Sequence, residues 1–325
     1  MLAARFLVGQ VRVRDESEPV LDGPGQVLVE NLVSTVCGSD VHVLLHGHPD
    51  EAGSGPGFPG HESVGRVVGS TDPGFHEGDL VLAVPDLAHA GGFALRQVLP
   101  PNFLVPLPTA ADIEQVVLAQ QLGTVVFAMK RFWPRTLPVP DGATALVLGA
   151  GPVGLMFTRL LKLAGFAEVV VSDPHRHRLD AAVRMGATVT VEAEGDRVVE
   201  VMQARRDAGA AFVVEAAGTD TTRVQAIRCV ALDGRIGMFG MPSSPEMTLP
   251  FELLFRRRAT LELCWGAQAE PGLTSFREAL ELILSGQVDT EPLALRLAPV
   301  SELAQVLARS AAGGPDVIKS GIDFR

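Results

Sequence analysis

The sequence predicts an α/β fold in which a doubly wound parallel sheet is joined to a mostly β domain. The first observation is length: 325 residues leave room for two domains of roughly 100 to 200 residues each. The second is texture, because the chain up to about residue 110 reads as short strands between turns and thereafter as strands alternating with helical segments. The third is a glycine-rich turn at 149–154 between an apolar strand and an apolar helix.

Composition narrows the class. A hydrophobic fraction of 47% and a charged fraction of 20% allow a sizeable core and exclude a disordered or fibrous chain. Lys and Arg number 27 against 38 for Asp and Glu, a net charge of -11, so the chain has no overall basic character to attract a phosphate backbone. Nucleic acid is not an expected partner. MLAARFLVGQVRVRD lacks an apolar signal core and no segment reaches the roughly 18 apolar residues of a membrane span, so no membrane partner and a cytoplasmic location are expected. Three cysteines, Cys37, Cys229 and Cys264, are too few for a disulfide framework or a four-cysteine zinc site. Any metal site must mix ligand types.

In the first part, VRVR, QVLVENLV, SVGRVVGS, DLVLAVP and FALRQVL are strand-like runs punctuated by Gly, Pro and Asp. Residues 46–60 hold too much Gly and Pro for a helix or central strand and read as a surface loop. IEQVVLAQQLGTVVFAMKRF is helical, and ALVLG, EVVVSD, ATVTV, AFVVEAAG and GRIGMFG are the strands of a parallel sheet covered on both faces. SFREALELILSG and DVIKSGIDF are expected to return to the β domain. The implied division is 1–118 for the β domain, 119–265 for the cofactor domain and 266–325 for the return. Cys229 and Cys264 read as core, His46, His48, His76 and His89 as solvated loop residues, and the RRR run at 256–258 as a solvated surface.

Gly149, Gly151 and Gly154, with Pro152 and Val153 between them, form the G-x-G-x-x-G arrangement. Its glycines permit a tight turn, close pyrophosphate approach and helix packing, while the helix N-terminus faces the phosphates. Asp173 ends the next strand 24 positions after Gly149 and is expected to accept the adenosine ribose hydroxyls while repelling a 2′-phosphate. NAD(H) is therefore expected over NADP(H). Asp173 also suits a helix cap before Pro174, and the two roles coexist; His175, Arg176 and Arg178 follow and would soften the discrimination, with Arg178 the one placed at the cofactor.

Nicotinamide chemistry needs a group that polarises a C–O bond. TVCGSDVH and PGHE offer Cys37, His61 and Glu62, a thiolate, an imidazole and a carboxylate of the kinds that hold catalytic zinc. CGSDVH, GHE, EGDLV, GGFA and the GAGPVG fold ending in VSD, in this order, resemble the medium-chain dehydrogenase/reductase family, and more narrowly its zinc-dependent alcohol and polyol dehydrogenases. The resemblance covers essentially the whole chain.

It implies a GroES-like catalytic domain and a Rossmann-type NAD domain. It implies that Cys37 and His61 bind zinc, that Glu62 is a close or exchangeable ligand, and that Asp40 orients His61. Ser39 would contact the substrate oxygen and pass its proton, through the cofactor ribose, towards His42 and solvent. Thr124 would face the nicotinamide ring, Val153 would pack behind it, and Lys319 would lie near the pyrophosphate. The family's remaining ligand position falls on Gln120, where Cys, Glu or Asp is usual, which leaves three arrangements: Gln120 coordinates, Glu62 stays bound with Gln120 hydrogen bonding nearby, or zinc is lost. Between GDLV and GGFA only AVPDLAHA intervenes, with no cysteine, so one catalytic zinc and no structural zinc are expected.

The implied reaction is hydride transfer between NAD(H) and a secondary alcohol, polyol or sugar-like substrate, CH–OH to C=O or the reverse, in a cleft between the domains. The rivals are a zinc-free medium-chain reductase of an enone or quinone and, from another class, a non-catalytic dinucleotide-binding protein. ATLELCWG near residue 260 reads as an exposed edge strand for a homodimer or homotetramer.

Overall fold

Alternating apolar residues in VLVENLVST make Val27–Thr35 the organising strand of a seven-stranded sheet, with Val27, Val29 and Val33 fully buried. The computed structural model describes residues 1–7, 9–47, 55–205, 209–242, 244, 246–313 and 317–325. The chain divides into two compact units, one of Met1–Thr124, Gln268–Thr290 and Ala294–Arg325, the other of Val125–Ala267 and Glu291–Leu293. Among the described residues no helix is long and apolar enough to cross a membrane.

In the first unit the sheet runs Arg296–Pro299, Ser320–Asp323, Val27–Thr35, Ser63–Ser70, Leu80–Ala83 and Leu104–Pro106, with Arg96–Leu99 also paired to Val27–Thr35. Val27–Thr35 meets Ser63–Ser70 antiparallel, with register shifts between Leu28 and Val29 and between Asn31 and Val33. Its buried Asn31 is satisfied: the amide donates to the Ala94 carbonyl and its oxygen accepts from Gln97 Nε2. Burying a valine contributes about 1.5–3 kcal/mol, so Val27, Val29, Val67, Val81 and Leu99, which share one core, dominate the stability of this sheet. The late strand Ser320–Asp323 pairs antiparallel with Val27–Thr35 and parallel with Arg296–Pro299.

Two elements were not apparent in the sequence. Leu2–Leu7 pairs with Gln10–Asp15 as a separate hairpin whose turn contains Gly9 at φ 74°. GSDVHVLLH forms the helix Gly38–His46, started by an unusual cap: the Cys37 N–H donates to Asp40 Oδ2 at 2.8 Å, as the carboxylate of a capping box does, although a cysteine stands where Ser or Thr is common.

The second unit holds a six-stranded sheet in which every pairing is parallel. The order is Val189–Glu192, Glu168–Asp173, Thr144–Leu148, Ala210–Glu215, Val230–Met238 and Thr260–Leu263. The first strand in sequence is thus central, and successive connections move outward in opposite directions from it. The point between Thr144–Leu148 and Ala210–Glu215 is where such sheets open a ligand crevice at their carboxyl ends. Leu146, Leu148, Val170, Val213 and Ile236 form its core with residues of the covering helices. The 256–258 arginines cap the end of a short helix, Phe251–Arg257, with Arg258 left-handed at φ 50°.

Candidate metal and cofactor sites

Three segments build the metal cluster. Cys37 ends the stretch after Val27–Thr35 and opens the helix Gly38–His46; His61 and Glu62 immediately precede the strand Ser63–Ser70. Because those two strands are paired at Ser34 and Ser63, their ends bring the three side chains together. One donor atom each from Cys37, His61 and Glu62 lies within 4.8 Å of the others, a thiol, an imidazole and a carboxylate in a buried setting.

His61 is oriented before any ion arrives. Its Nδ1 lies 2.9 Å from the Pro59 carbonyl, the acceptor that favours a proton on Nδ1, and 3.3 Å from Asp40 Oδ1 in an ion pair, which leaves Nε2 as the nitrogen for a metal. Burial disfavours the imidazolium, yet the Asp40 charge and the Cys37 contact hold the His61 pKa well above its usual value. A metal must therefore displace a firmly held proton there. Asp40 itself is fully buried, and burial pushes its carboxyl up.

Glu62 is held from the other side. Its Oε2 accepts from Lys319 Nζ at 2.6 Å and from the Thr35 hydroxyl. Burial would raise its pKa, but the charges of Lys319 and His61 more than offset that, so Glu62 stays an anion with its pKa lowered. Lys319 also donates to the Val36 carbonyl at 3.0 Å and is 1% exposed. Lys319, expected beside a pyrophosphate, has its ammonium enclosed in the first unit against Glu62, a partner that spacing along the chain did not reveal.

Gln120 lies on the helix Leu118–Phe132. It is buried, and neither its amide nitrogen nor its oxygen has a hydrogen-bond partner among the described residues. An unsatisfied buried amide costs about 1–3 kcal/mol, so this side chain fits a role towards a group the protein itself does not supply. The next residue, Gln121, was missed by sequence reasoning; its Nε2 approaches Glu62 Oε1 at 3.4 Å. Thr124 spends its hydroxyl on the Gln121 carbonyl at 2.7 Å. Ser39 and His42 lie on the helix begun by Cys37, both partly exposed, and His42 has its pKa lowered by burial and by His46. The Cys37, His61 and Glu62 donor set, a thiol, an imidazole and a carboxylate, fits zinc.

In the second unit, Gly149 follows Thr144–Leu148 with φ 96°, and Gly151 caps the helix Pro152–Leu163, whose first position is Pro152. Gly154 packs the helix onto the turn so closely that an added Cβ would lie 1.8 Å from the Gly149 oxygen. At Gly151 an added Cβ meets no atom of the described residues within 4 Å, leaving open space beside the turn. Val153 follows on the helix's first turn. Asp173 ends the neighbouring strand and accepts from the Ala150 N–H at 2.8 Å and from the His175 N–H at 2.8 Å. Arg178 Nη1 stands 3.8 Å from Asp173, and its Nε is buried without a hydrogen-bond partner among the described residues.

Comparison with known proteins decides the family. Residues 23–109 match the alcohol dehydrogenase GroES-like domain and residues 152–285 match the zinc-binding dehydrogenase family. The chain belongs to the medium-chain dehydrogenase/reductase family. Among its family relatives, a probable D-xylulose reductase A of Aspergillus fumigatus is 28% identical, covering 94% of this chain and 92% of the relative. An alcohol dehydrogenase of Cupriavidus necator is also 28% identical, covering 89% of each. The same medium-chain fold is seen in 2R,3R-butanediol dehydrogenase from Bacillus subtilis, with a TM-score of 0.85 at 21% identity over 100% of this chain and 99% of that one. Galactitol-1-phosphate dehydrogenase from Escherichia coli gives a TM-score of 0.83 at 21% identity over 99% of this chain and 100% of that one.

Proposed function

We propose that this medium-chain dehydrogenase/reductase is a zinc-dependent, NAD-linked dehydrogenase of a secondary alcohol, polyol or sugar-like substrate. The observation that carries the reading is the convergence of Cys37, His61 and Glu62 within 4.8 Å, beside a histidine already oriented by Asp40. The D-xylulose reductase relatives favour a polyol or sugar-like substrate.

When bound, zinc supplies Lewis acidity towards the alcohol oxygen, and the nicotinamide supplies the hydride acceptor. Cys37 and His61 hold the metal, Gln120 offers an uncharged third donor, and Glu62 is the exchangeable one, balanced by Lys319. Ser39 takes the substrate proton and His42 passes it to solvent. His42 suits that task because burial and its neighbour His46 lower its pKa, leaving a neutral imidazole able to accept a proton. Gly149, Gly151, Pro152, Val153 and Gly154 cradle the pyrophosphate, Asp173 takes the ribose hydroxyls with Arg178 beside it, and Thr124 faces the nicotinamide. The chain carries one zinc and works in the cytoplasm, where thiols stay reduced. Subunits pair through Thr260–Leu263, the sheet's last strand, beside which Leu263 is 67% and Trp265 73% exposed.

Elemental analysis of the wild type, Cys37→Ala and Gln120→Ala tests this. One zinc per chain in the wild type, lost in Cys37→Ala and weakened in Gln120→Ala, with NAD-linked oxidation of polyols, is the expected result. Metal-free wild type that still reduces enones or quinones would replace this reading with the zinc-free reductase.

A further inference from the structure

The helix Gly38–His46 carries imidazoles at His42 and His46, the i, i+4 spacing that sets side chains one above the other on a single helix face. The rings do meet: their centroids are 4.6 Å apart and their planes are inclined by 45°. A histidine nitrogen binds a divalent transition ion at about 2.0–2.1 Å, which puts the ring centroid about 3.2 Å from the ion. Two imidazoles on adjacent corners of a square then have centroids about 4.5 Å apart, and two on corners of a tetrahedron about 5.2 Å apart. The observed 4.6 Å lies within a fraction of an ångström of either value, so both imidazoles stand close enough to serve one ion.

His46 is exposed and His42 partly so, so an ion from solvent can reach the pair without unfolding anything. Nothing in the Cys37 cluster is used, since its donors are other residues. Imidazole nitrogens favour copper(II) over the other first-row divalent ions by their usual affinity order.

We propose that His42 and His46 form a surface chelate for a late first-row divalent cation, copper(II) above nickel(II), whose occupancy shuts the proton exit of the enzyme. The second half rests on the function proposed above, because it makes His42 the last carrier of the substrate proton. An ion on the His42 nitrogen occupies the lone pair that would receive that proton. Loss of one general-base step lowers turnover by about 100-fold.

The test is a copper(II) titration of the zinc-loaded protein, followed by electron paramagnetic resonance and by NAD-linked alcohol oxidation. The expected result is a tetragonal signal with two nitrogen ligands at one equivalent, with oxidation falling in parallel and returning on chelation. His46→Gln should lose the two-nitrogen signal, and its oxidation rate, whatever its value without copper, should not fall when copper is added, whereas Cys37→Ser should keep the signal. An unchanged signal in His46→Gln, or no stoichiometric signal in the wild type, overturns the chelate. A two-nitrogen signal that His46→Gln abolishes, accompanied by undiminished turnover in the copper-loaded wild type, establishes the chelate and overturns both the inhibition and the His42 relay. Absence of zinc-dependent oxidation from the start overturns the function while the resonance signal still decides the chelate.

Discussion

Lys319 Nζ and Glu62 Oε2 lie 2.6 Å apart with both side chains almost wholly buried, joining positions 257 residues apart in the chain. Removing one partner leaves an uncompensated charge in the interior. Lys319→Met should therefore destabilise the protein by about 3–5 kcal/mol in urea unfolding, and the double substitution Lys319→Met with Glu62→Gln should recover a large part of that loss. Equal losses in the single and double variants would show that Lys319 matters through packing alone.

Asp40 holds His61 at 3.3 Å and accepts from the Cys37 N–H at 2.8 Å, so one carboxylate sets two metal-binding side chains. Asp40→Asn should weaken zinc binding by about 10- to 100-fold, read by competition with a chromogenic chelator, with little change in helix content by circular dichroism.

The glycines of the 149–154 turn separate packing from ligand approach. Gly154→Ala drives a Cβ into the Gly149 oxygen and should cost about 1–3 kcal/mol of stability. Gly151→Ala meets no atom of the described residues and has φ -66°, so its melting temperature should match the wild type while the KM for NAD rises several-fold. Steady-state kinetics beside thermal denaturation checks both.

Glu16 links the N-terminal hairpin to the residues after it. Hydrogen bonds from Arg5 and Arg14 hold its carboxyl at about 2, against an ordinary value of 4.5. A carboxyl whose pKa is depressed by folding stabilises the native state above its unfolded value and loses that contribution as the pH falls through its folded one. The stability difference between the wild type and Glu16→Gln should be constant above about pH 5 and shrink between about pH 4.5 and 2, as measured by urea midpoints across that range.

The legible parts of this chain are those in which neighbours in sequence determine the outcome. ALVLG became the central strand because an apolar run followed by a positive-φ glycine and a helix-starting proline admits little else. EVVVSD and GRIGMFG were legible on the same grounds, and with them the parallel, doubly wound class. VRVR was recognised as a strand, but its partner Leu2–Leu7 was not, since LAARFL has no alternation to mark it. The helix at Gly38–His46 was hidden by a cysteine at the capping position. At the site, the sequence named Cys37, His61, Glu62 and Asp40 as a set but did not pair Lys319 with Glu62, because an ion pair closed over so long a stretch leaves no trace in local spacing. Gln121 escaped notice for a similar reason: adjacent residues on a helix point about 100° apart, and periodicity does not say which of two glutamines faces a carboxylate.

The pairing of Ser320–Asp323 with Val27–Thr35 has a consequence for biosynthesis. Along the chain Cys37, His61 and Glu62 precede the six-stranded parallel unit, whereas the lysine that neutralises Glu62 and the strand that pairs with Val27–Thr35 follow it. All six strands of the parallel unit lie within Val125–Ala267 and are synthesised in between, with only its short segment Glu291–Leu293 still to come, so that unit is free to fold first. The Cys37, His61 and Glu62 cluster thus waits in an unfinished sheet until the ribosome has passed through the other unit, and the arrival of Lys319 and Ser320–Asp323 ends that wait.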